Sequence, residues 1–302
     1  MHRSRAQFTA VVIVCFIVAG AAYAAYRSTN SSDGKAVNQP RLQTYERSVA
    51  LTLPYGDGAS GVGSVQDAPE QRPYGPESFA VDGANIFILD SVHARVLEFD
   101  ANAKLRRTID NVPGLDLAVR GSEVFVLDPA RQLLTAISSD DKRTEYQEAR
   151  GAQFDRITTD MLPSSPGTPQ VRGESASTSQ TADSSNGFDV TQVNSTTAML
   201  SNASGLKITV VTPRMLGSVN VVGIDQQGNV YVAVEQLGAG TTVDVTAELR
   251  KYTSTGRLVA VLPDTAVVAT HPHRAYLVTP EGAVYHLVPE RHALIVEKWQ
   301  TQ

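Results

Sequence analysis

What the chain lacks narrows it first. It has a single cysteine, Cys15, in 302 residues. That cysteine lies in an apolar run near the N-terminus, so the rest of the chain forms no internal disulfide and its stability must come from packing. There is no Cys-x-x-Cys-His sequence for covalent haem and no Gly-x-Ser-x-Gly elbow for a serine nucleophile. No long run of lysine or arginine occurs, and 26 basic against 31 acidic side chains leave a formal charge of -5. A nucleic-acid surface needs clustered positive charge to displace the counterions of phosphates, so no nucleic-acid partner is expected. Serine is concentrated in a stretch almost without apolar residues, where nothing holds a nucleophile against a base.

What is present begins with an address. Arg3 and Arg5 precede an uncharged apolar run from Phe8 to about Tyr26, the pattern of an export signal. Two fates fit residues 1–26. One is a signal peptide cleaved after Ala24, where Ala22-Tyr23-Ala24 meets the small-x-small rule; the other is a retained signal-anchor, a transmembrane helix of roughly 18 residues, about the minimum for a span. Either way the two arginines keep the N-terminus in the cytoplasm and the remainder is sent out. The expected location is extracytoplasmic: membrane-anchored, or secreted or periplasmic after cleavage. Val14 stands before Cys15 where a lipid-modification signal has a small residue, which argues against lipidation. Residues 27–43 are polar and read as a flexible tether.

Residues 44–300 carry a repeat. The stretch from Gly75 through Phe79-Ala80-Val81-Asp82 and Asn85-Ile86-Phe87-Ile88-Leu89-Asp90 returns in Leu117-Ala118-Val119-Arg120 and Glu123-Val124-Phe125-Val126-Leu127-Asp128. A repeat of about 38 residues made of short apolar strands and tight turns is a unit that must stack on copies of itself, as a β-propeller blade does. Later copies start at Val221-Val222-Gly223-Ile224-Asp225 and at Ala275, the first leading through Gly228-Asn229 into Val230-Tyr231-Val232. Between Glu148 and Gly217 the pattern blurs. Residues 163–187 are a low-complexity insertion of Ser, Thr, Gly, Pro and Gln, flanked by strand-like segments with room for one or two more units. The fold class is therefore all-β, a propeller of five or six blades with six favoured by the spacing. The alternating segment Ser48–Pro54 is expected to join the last blade and seal the ring, hiding two sheet edges at once.

The first copy resembles the NHL-type repeat: Asp82, Asn85, Asp90, Arg95, Val96, Phe99 and Asp100 stand where that pattern puts them. The second copy keeps Asp128 but has Leu133 in place of the arginine, and later copies have Val234 and Val288 in place of the terminal aspartate. The resemblance implies architecture more than activity, because such propellers include binding scaffolds, hydrolases and a copper-dependent lyase. Quinone-dependent propellers dock tryptophans between blades, and Trp299 is the only tryptophan here.

Two groups of side chains are candidates for chemistry. The turn residues Asp82, Asp90, Asp128 and Asp225, with His93 and Arg95, form a possible binding set, and the resemblance implies calcium at such carboxylates in lactonase-like propellers. The structural alternative is that each aspartate caps backbone N–H groups and sets its turn; Asp90 and Arg95 would then form an exposed pair worth at most about 1 kcal/mol. His271, His273, His286 and His292 are the candidate metal ligands, against packed or solvated histidines. The expected function is a non-catalytic binding or scaffolding module for an envelope protein or glycan, with no cofactor predicted and with membrane contact through the N-terminal helix if uncleaved. The alternative is a metal-dependent hydrolase or lyase using calcium or a transition metal.

Overall fold

The computed structural model describes residues 42–65, 73–147, 156–157, 162, 187–238, 244–264, 266, 268 and 270–302. The apolar run of residues 8–26, the tether up to residue 41 and the insertion before Gly187 lie outside the described residues. Among the described residues no helix is long and apolar enough to cross a membrane.

All the regular structure described is antiparallel β-sheet, taken up in chain order. The first strand, β1 (Tyr45–Pro54), is exposed over Glu46 to Val49 and alternates buried and exposed side chains from Leu51 to Pro54, and it waits for a partner from the other end of the chain. The first sheet then runs β2 (Ser78–Asp82), β3 (Asn85–Asp90), β4 (Arg95–Phe99), β5 (Leu105–Ile109), each strand pairing with the next. The second repeats it with β6 (Asp116–Arg120), β7 (Glu123–Asp128), β8 (Leu133–Ile137) and β9 (Arg143–Gln147). A three-stranded sheet follows, β10 (Phe188–Asn194), β11 (Thr197–Asn202) and β12 (Lys207–Val211). The fourth is β13 (Met215–Ile224), β14 (Val230–Leu237), β15 (Val245–Tyr252) and β16 (Leu258–Asp264). The fifth contains β17 (Tyr276–Val278), β18 (Val284–Pro289) and β19 (Ala293–Thr301), and β1 completes it by pairing with β19.

The sheets pack face to face in sequence, because their middle strands are apolar on both sides. In β3 Ile88 and Leu89 are both fully buried although they point to opposite faces. Ile88 joins Phe79, Leu287 and Val296 in the core between the fifth and first sheets. Leu89 joins Val96, Leu117 and Val126 between the first and second. Further cores join the third sheet to the fourth, around Phe188, Leu200 and Val232, and the fourth to the fifth, around Tyr231, Leu249 and Trp299. Sequential four-stranded meanders, packed sheet on sheet and sealed by a strand from the opposite terminus, make a β-propeller. Five sheets are present among the described residues.

One five-residue turn recurs six times and sets much of the register. At 100–104, 138–142, 202–206, 225–229, 253–257 and 279–283 the first N–H bonds the fifth carbonyl, and the fourth N–H bonds the first carbonyl. In five of them the first side chain, Asp100, Asn202, Asp225, Thr253 or Thr279, also accepts the fifth N–H. The fourth residue has a positive φ in every copy: it is glycine at 205, 228, 256 and 282, but alanine at 103 and aspartate at 141.

Candidate functional site

The strands β2, β6 and β17 begin at one end of the molecule, where β2 packs against β6. The first residues of β2 and β6 meet there, joined by Arg274 from just before β17. The Asp116 side chain, fully shielded from solvent, accepts from the Ser78 hydroxyl at 2.7 Å, from the Arg274 Nε at 2.8 Å and from the Ile157 N–H at 2.7 Å. A second guanidinium nitrogen of Arg274 closes a bidentate pair. Burial alone would raise the Asp116 pKa, but the hydrogen bonds and charge of Arg274, with the Ile157 N–H and the Ser78 hydroxyl, outweigh it and hold the carboxyl below its ordinary value. Around this pair the His273 N–H donates to Glu77, the Arg274 N–H to the Glu77 carbonyl, and Arg156 to the His273 carbonyl. The His273 Nε2 is buried without a hydrogen-bond partner among the described residues, as is the Thr270 hydroxyl three residues earlier.

The antiparallel hairpins divide the four candidate aspartates between the two ends of the ring. Asp82 ends β2 and Asp225 follows β13 at one end; Asp90 and Asp128 end the returning strands β3 and β7 at the other. They do not ring one face. Asp225 accepts from the Asn229 side chain at 2.8 Å, from the Asn229 N–H at 2.9 Å and from the Tyr231 hydroxyl at 3.2 Å, with Lys251 at 3.6 Å. Burial works against ionisation there, but the two Asn229 hydrogen bonds, the Lys251 charge and Tyr231 hold the carboxyl below its usual range. Asp128 caps the Arg131 N–H of its own turn.

Asp90 is more heavily used. It accepts from the Gly63 N–H at 3.0 Å, from Arg95 Nε at 3.0 Å and stands 2.7 Å from His93 Nδ1. The exposed pair expected from the sequence is in fact enclosed: the Asp90 side chain is 0% and the Arg95 side chain 11% exposed. The cause is the glycine-rich loop 55–64, whose Gly58 and Gly61 carbonyls accept from Arg95 Nη2 at 3.2 and 2.9 Å.

The four C-terminal histidines go to separate places. His271 is exposed and His273 lies by the Asp116 network, while His292 is exposed in the turn between β18 and β19. His286 is buried on β18, stacked on Tyr276 with ring centroids 4.3 Å apart. Its Nε2 is 3.5 Å from Asp264 and its Nδ1 3.8 Å from Glu297. Glu297 also receives Arg47 of β1 and the Trp299 Nε1. Burial raises the Tyr276 pKa, and the carboxylate of Asp264, which accepts its hydroxyl, adds to the rise. Among the described residues no group of three or more His, Cys, Asp or Glu is arranged to hold a metal ion.

Sequence reasoning missed the Asp116–Arg274 and His286–Glu297 networks. One signal was present: Ser78 and Asp116 lie 38 residues apart at the start of equivalent strands.

Four large exposed apolar side chains, Val193, Val211, Met215 and Val245, lie on adjoining strand ends at this same end of the ring. The strands β13, β14 and β15 run longer than their counterparts in the first sheet, and Met215 pairs with Leu237, which pairs with Val245. The turn 195–196 lies beside them, with the Leu216 N–H donating to the Ser195 carbonyl and the Thr212 N–H to the Thr196 carbonyl.

No protein-family model matches the chain, and no curated protein matches it. Among solved structures it is similar to a member of the DUF4221 family from Bacteroides vulgatus, with 10% identity and a TM-score of 0.47 over 87% of this chain and 99% of that one. It is also similar to virginiamycin B lyase from Staphylococcus aureus, with 11% identity and a TM-score of 0.42 over 85% and 99%. Kluyveromyces lactis Hsv2 is similar at 12% identity and a TM-score of 0.38 over 71% of each chain. Likenesses this distant carry no functional assignment.

Proposed function

We propose that the chain is an exported five-bladed propeller that acts as a non-catalytic binding or scaffolding module, with a protein of the cell envelope as its partner. The observation that carries this reading is where the charged side chains are spent. Asp116 and Arg274 neutralise each other at the mouth of the ring, Asp90 holds Arg95, and Asp225 holds Asn229 and Lys251. Each set fixes a turn or ties neighbouring segments together, which is the structural use of such groups.

A repeated contact supports five blades. The Leu117 N–H donates to the Ser78 hydroxyl, and the Ile157 N–H donates to the Asp116 carboxylate in the same way. Ile157 also packs on Phe125, Leu127 and Leu134, as Leu117 packs on Phe87, Leu89 and Val96. Arg156–Ile157 thus open the innermost position of the third blade, with β10, β11 and β12 as its outer three strands. The close approach of Gly256 to the Lys207 carbonyl of β12 matches the contact of Arg107 on β5 with Ser138 and Asp141, which supports β12 as an outermost strand. Kinship with the NHL-type repeat rests on the first blade, whose Asp90 and Arg95 bond as that pattern implies.

The contact surface is placed on the apolar strand ends Val193, Val211, Met215 and Val245. They are aliphatic and adjoining, which suits a protein partner better than a glycan, whose rings stack on aromatic side chains. The test compares cross-linking of the wild-type chain and a Met215→Asp/Val245→Asp variant to envelope proteins, with calcium, zinc and copper melting curves alongside. One cross-linked protein lost in the variant is expected. A metal that raises the melting temperature by several degrees and elicits hydrolysis or elimination would replace this reading with the enzymatic one.

A further inference from the structure

The loop 55–64 crosses the seam of the ring. It leaves β1, which belongs to the fifth sheet, on the way to β2 of the first. Its fold is held by Gly56 N–H to the Val62 carbonyl, Gly61 N–H to the Gly58 carbonyl and Val62 N–H to the Pro54 carbonyl. Its outside contacts converge on the end of β3. Gly63 N–H reaches Asp90, Arg95 reaches two loop carbonyls, and the Asp57 side chain reaches His93 Nε2 at 3.0 Å.

The His93 ring lies between two carboxylates. Its Nδ1 is 2.7 Å from Asp90 Oδ2 and its Nε2 3.0 Å from Asp57 Oδ1. Ionised carboxylates only accept hydrogen bonds, and a neutral imidazole has a single N–H. A neutral His93 therefore satisfies one contact and turns a lone pair on the other carboxylate. Only the imidazolium donates to both. The charged groups facing the ring are Asp90 from the end of β3, Asp57 from the loop and Arg95 from the start of β4. Arg95 Nη2 stands 3.3 Å from Nδ1 and opposes protonation, but Asp90 is nearer and both carboxylates favour it.

We propose that His93 is a proton-operated latch at the ring seam, holding loop 55–64 against the first sheet when the imidazole is protonated and releasing the Asp57 contact when it is neutral. Asp90 stays engaged in both states through Gly63 and Arg95. Proton loss therefore frees the Asp57 side chain and leaves Arg95 on the Gly58 and Gly61 carbonyls as the remaining side-chain tie to this part of the loop, without unfolding the sheet. Hydrogen bonds from His93 to Asp90 and then to Asp57 raise its pKa, placing release above the ordinary imidazole value of about 6.5.

Two measurements on the whole chain test the latch. The His93 ring proton shifts, followed by NMR from pH 5 to 9, should titrate above about 6.5 and move down in Asp57→Asn. Amide exchange at Gly56, Gly61 and Val62, corrected for base catalysis, should speed up about two- to fivefold as pH rises through that midpoint, the range an exposed ion pair supports. In His93→Gln the pH dependence should vanish. A wild-type midpoint at or below 6.5, flat protection across it, or the same pH dependence in His93→Gln would each overturn the proposal. Because Asp57 is fully exposed, its asparagine variant keeps the sheet intact and the test readable.

Discussion

At the residue scale the most consequential side chain is Asp116. A carboxylate with no solvent exposure is tolerated because Arg274 meets it with two nitrogens and because Ser78 and Ile157 fill its remaining acceptor sites. Asp116→Asn keeps the shape but leaves the Arg274 guanidinium, 16% exposed, without a counter-charge. The expected loss is about 3–5 kcal/mol, read as a fall in the urea midpoint with unchanged m-value. A loss under about 1 kcal/mol would show the pair to be dispensable. The depressed Asp116 pKa also fixes a direction with pH. A carboxyl ionised more readily in the folded state contributes stability that is fully present above its unfolded value, about 3.9. That contribution is lost as pH falls from there through the folded value. The wild-type midpoint should therefore drop steeply below about pH 4, and Asp116→Asn should show a shallower drop. The pair could not be read from the sequence, since its members are 158 residues apart and meet only through ring closure.

At the scale of elements the recurring turn explains what was legible. Aspartate, asparagine or threonine followed by a glycine three residues on announces the turn, and the apolar runs on either side then take their register from it. The hairpin at 225–229, with Gly228-Asn229, was readable for that reason. The burial of Arg95 was not, because it depends on a loop that arrives from the strand sealing another sheet. Ala103 holds a φ of 57° where four of the six copies have glycine. An L-residue there costs about 1–2 kcal/mol, against an entropic penalty of about 0.4–1 kcal/mol for introducing glycine in the unfolded chain. Ala103→Gly should therefore stabilise by about 0.5–1 kcal/mol. A thermal scan showing a lowered midpoint would mean that the turn at 100–104 is not strained.

At the scale of the whole molecule, a propeller is stable only if every sheet finds a neighbour on both faces. Among the described residues, four junctions between neighbouring sheets are filled by apolar clusters. On the remaining face of the second sheet, Phe125, Leu127, Leu134 and Ala136 are covered by Ile157, with Leu162 alongside. The low-complexity insertion obscured this in the sequence, because it separates Ile157 from β10 and breaks the spacing that made the other copies visible. If Ile157 stands at the innermost position of a blade, it is the counterpart of Leu117, which is 1% exposed in the preceding core against 5% for Ile157. Truncating either should then open a cavity in a junction of the ring. Ile157→Ala and Leu117→Ala are both expected to cost about 2–5 kcal/mol. The two variants should lose one cooperative transition at a lower denaturant concentration, without an intermediate, since a closed ring shares its junctions. If Ile157 only lay on the surface of the second sheet, its truncation would cost well under 1 kcal/mol while Leu117→Ala kept its full effect, and the five-bladed closure would fail.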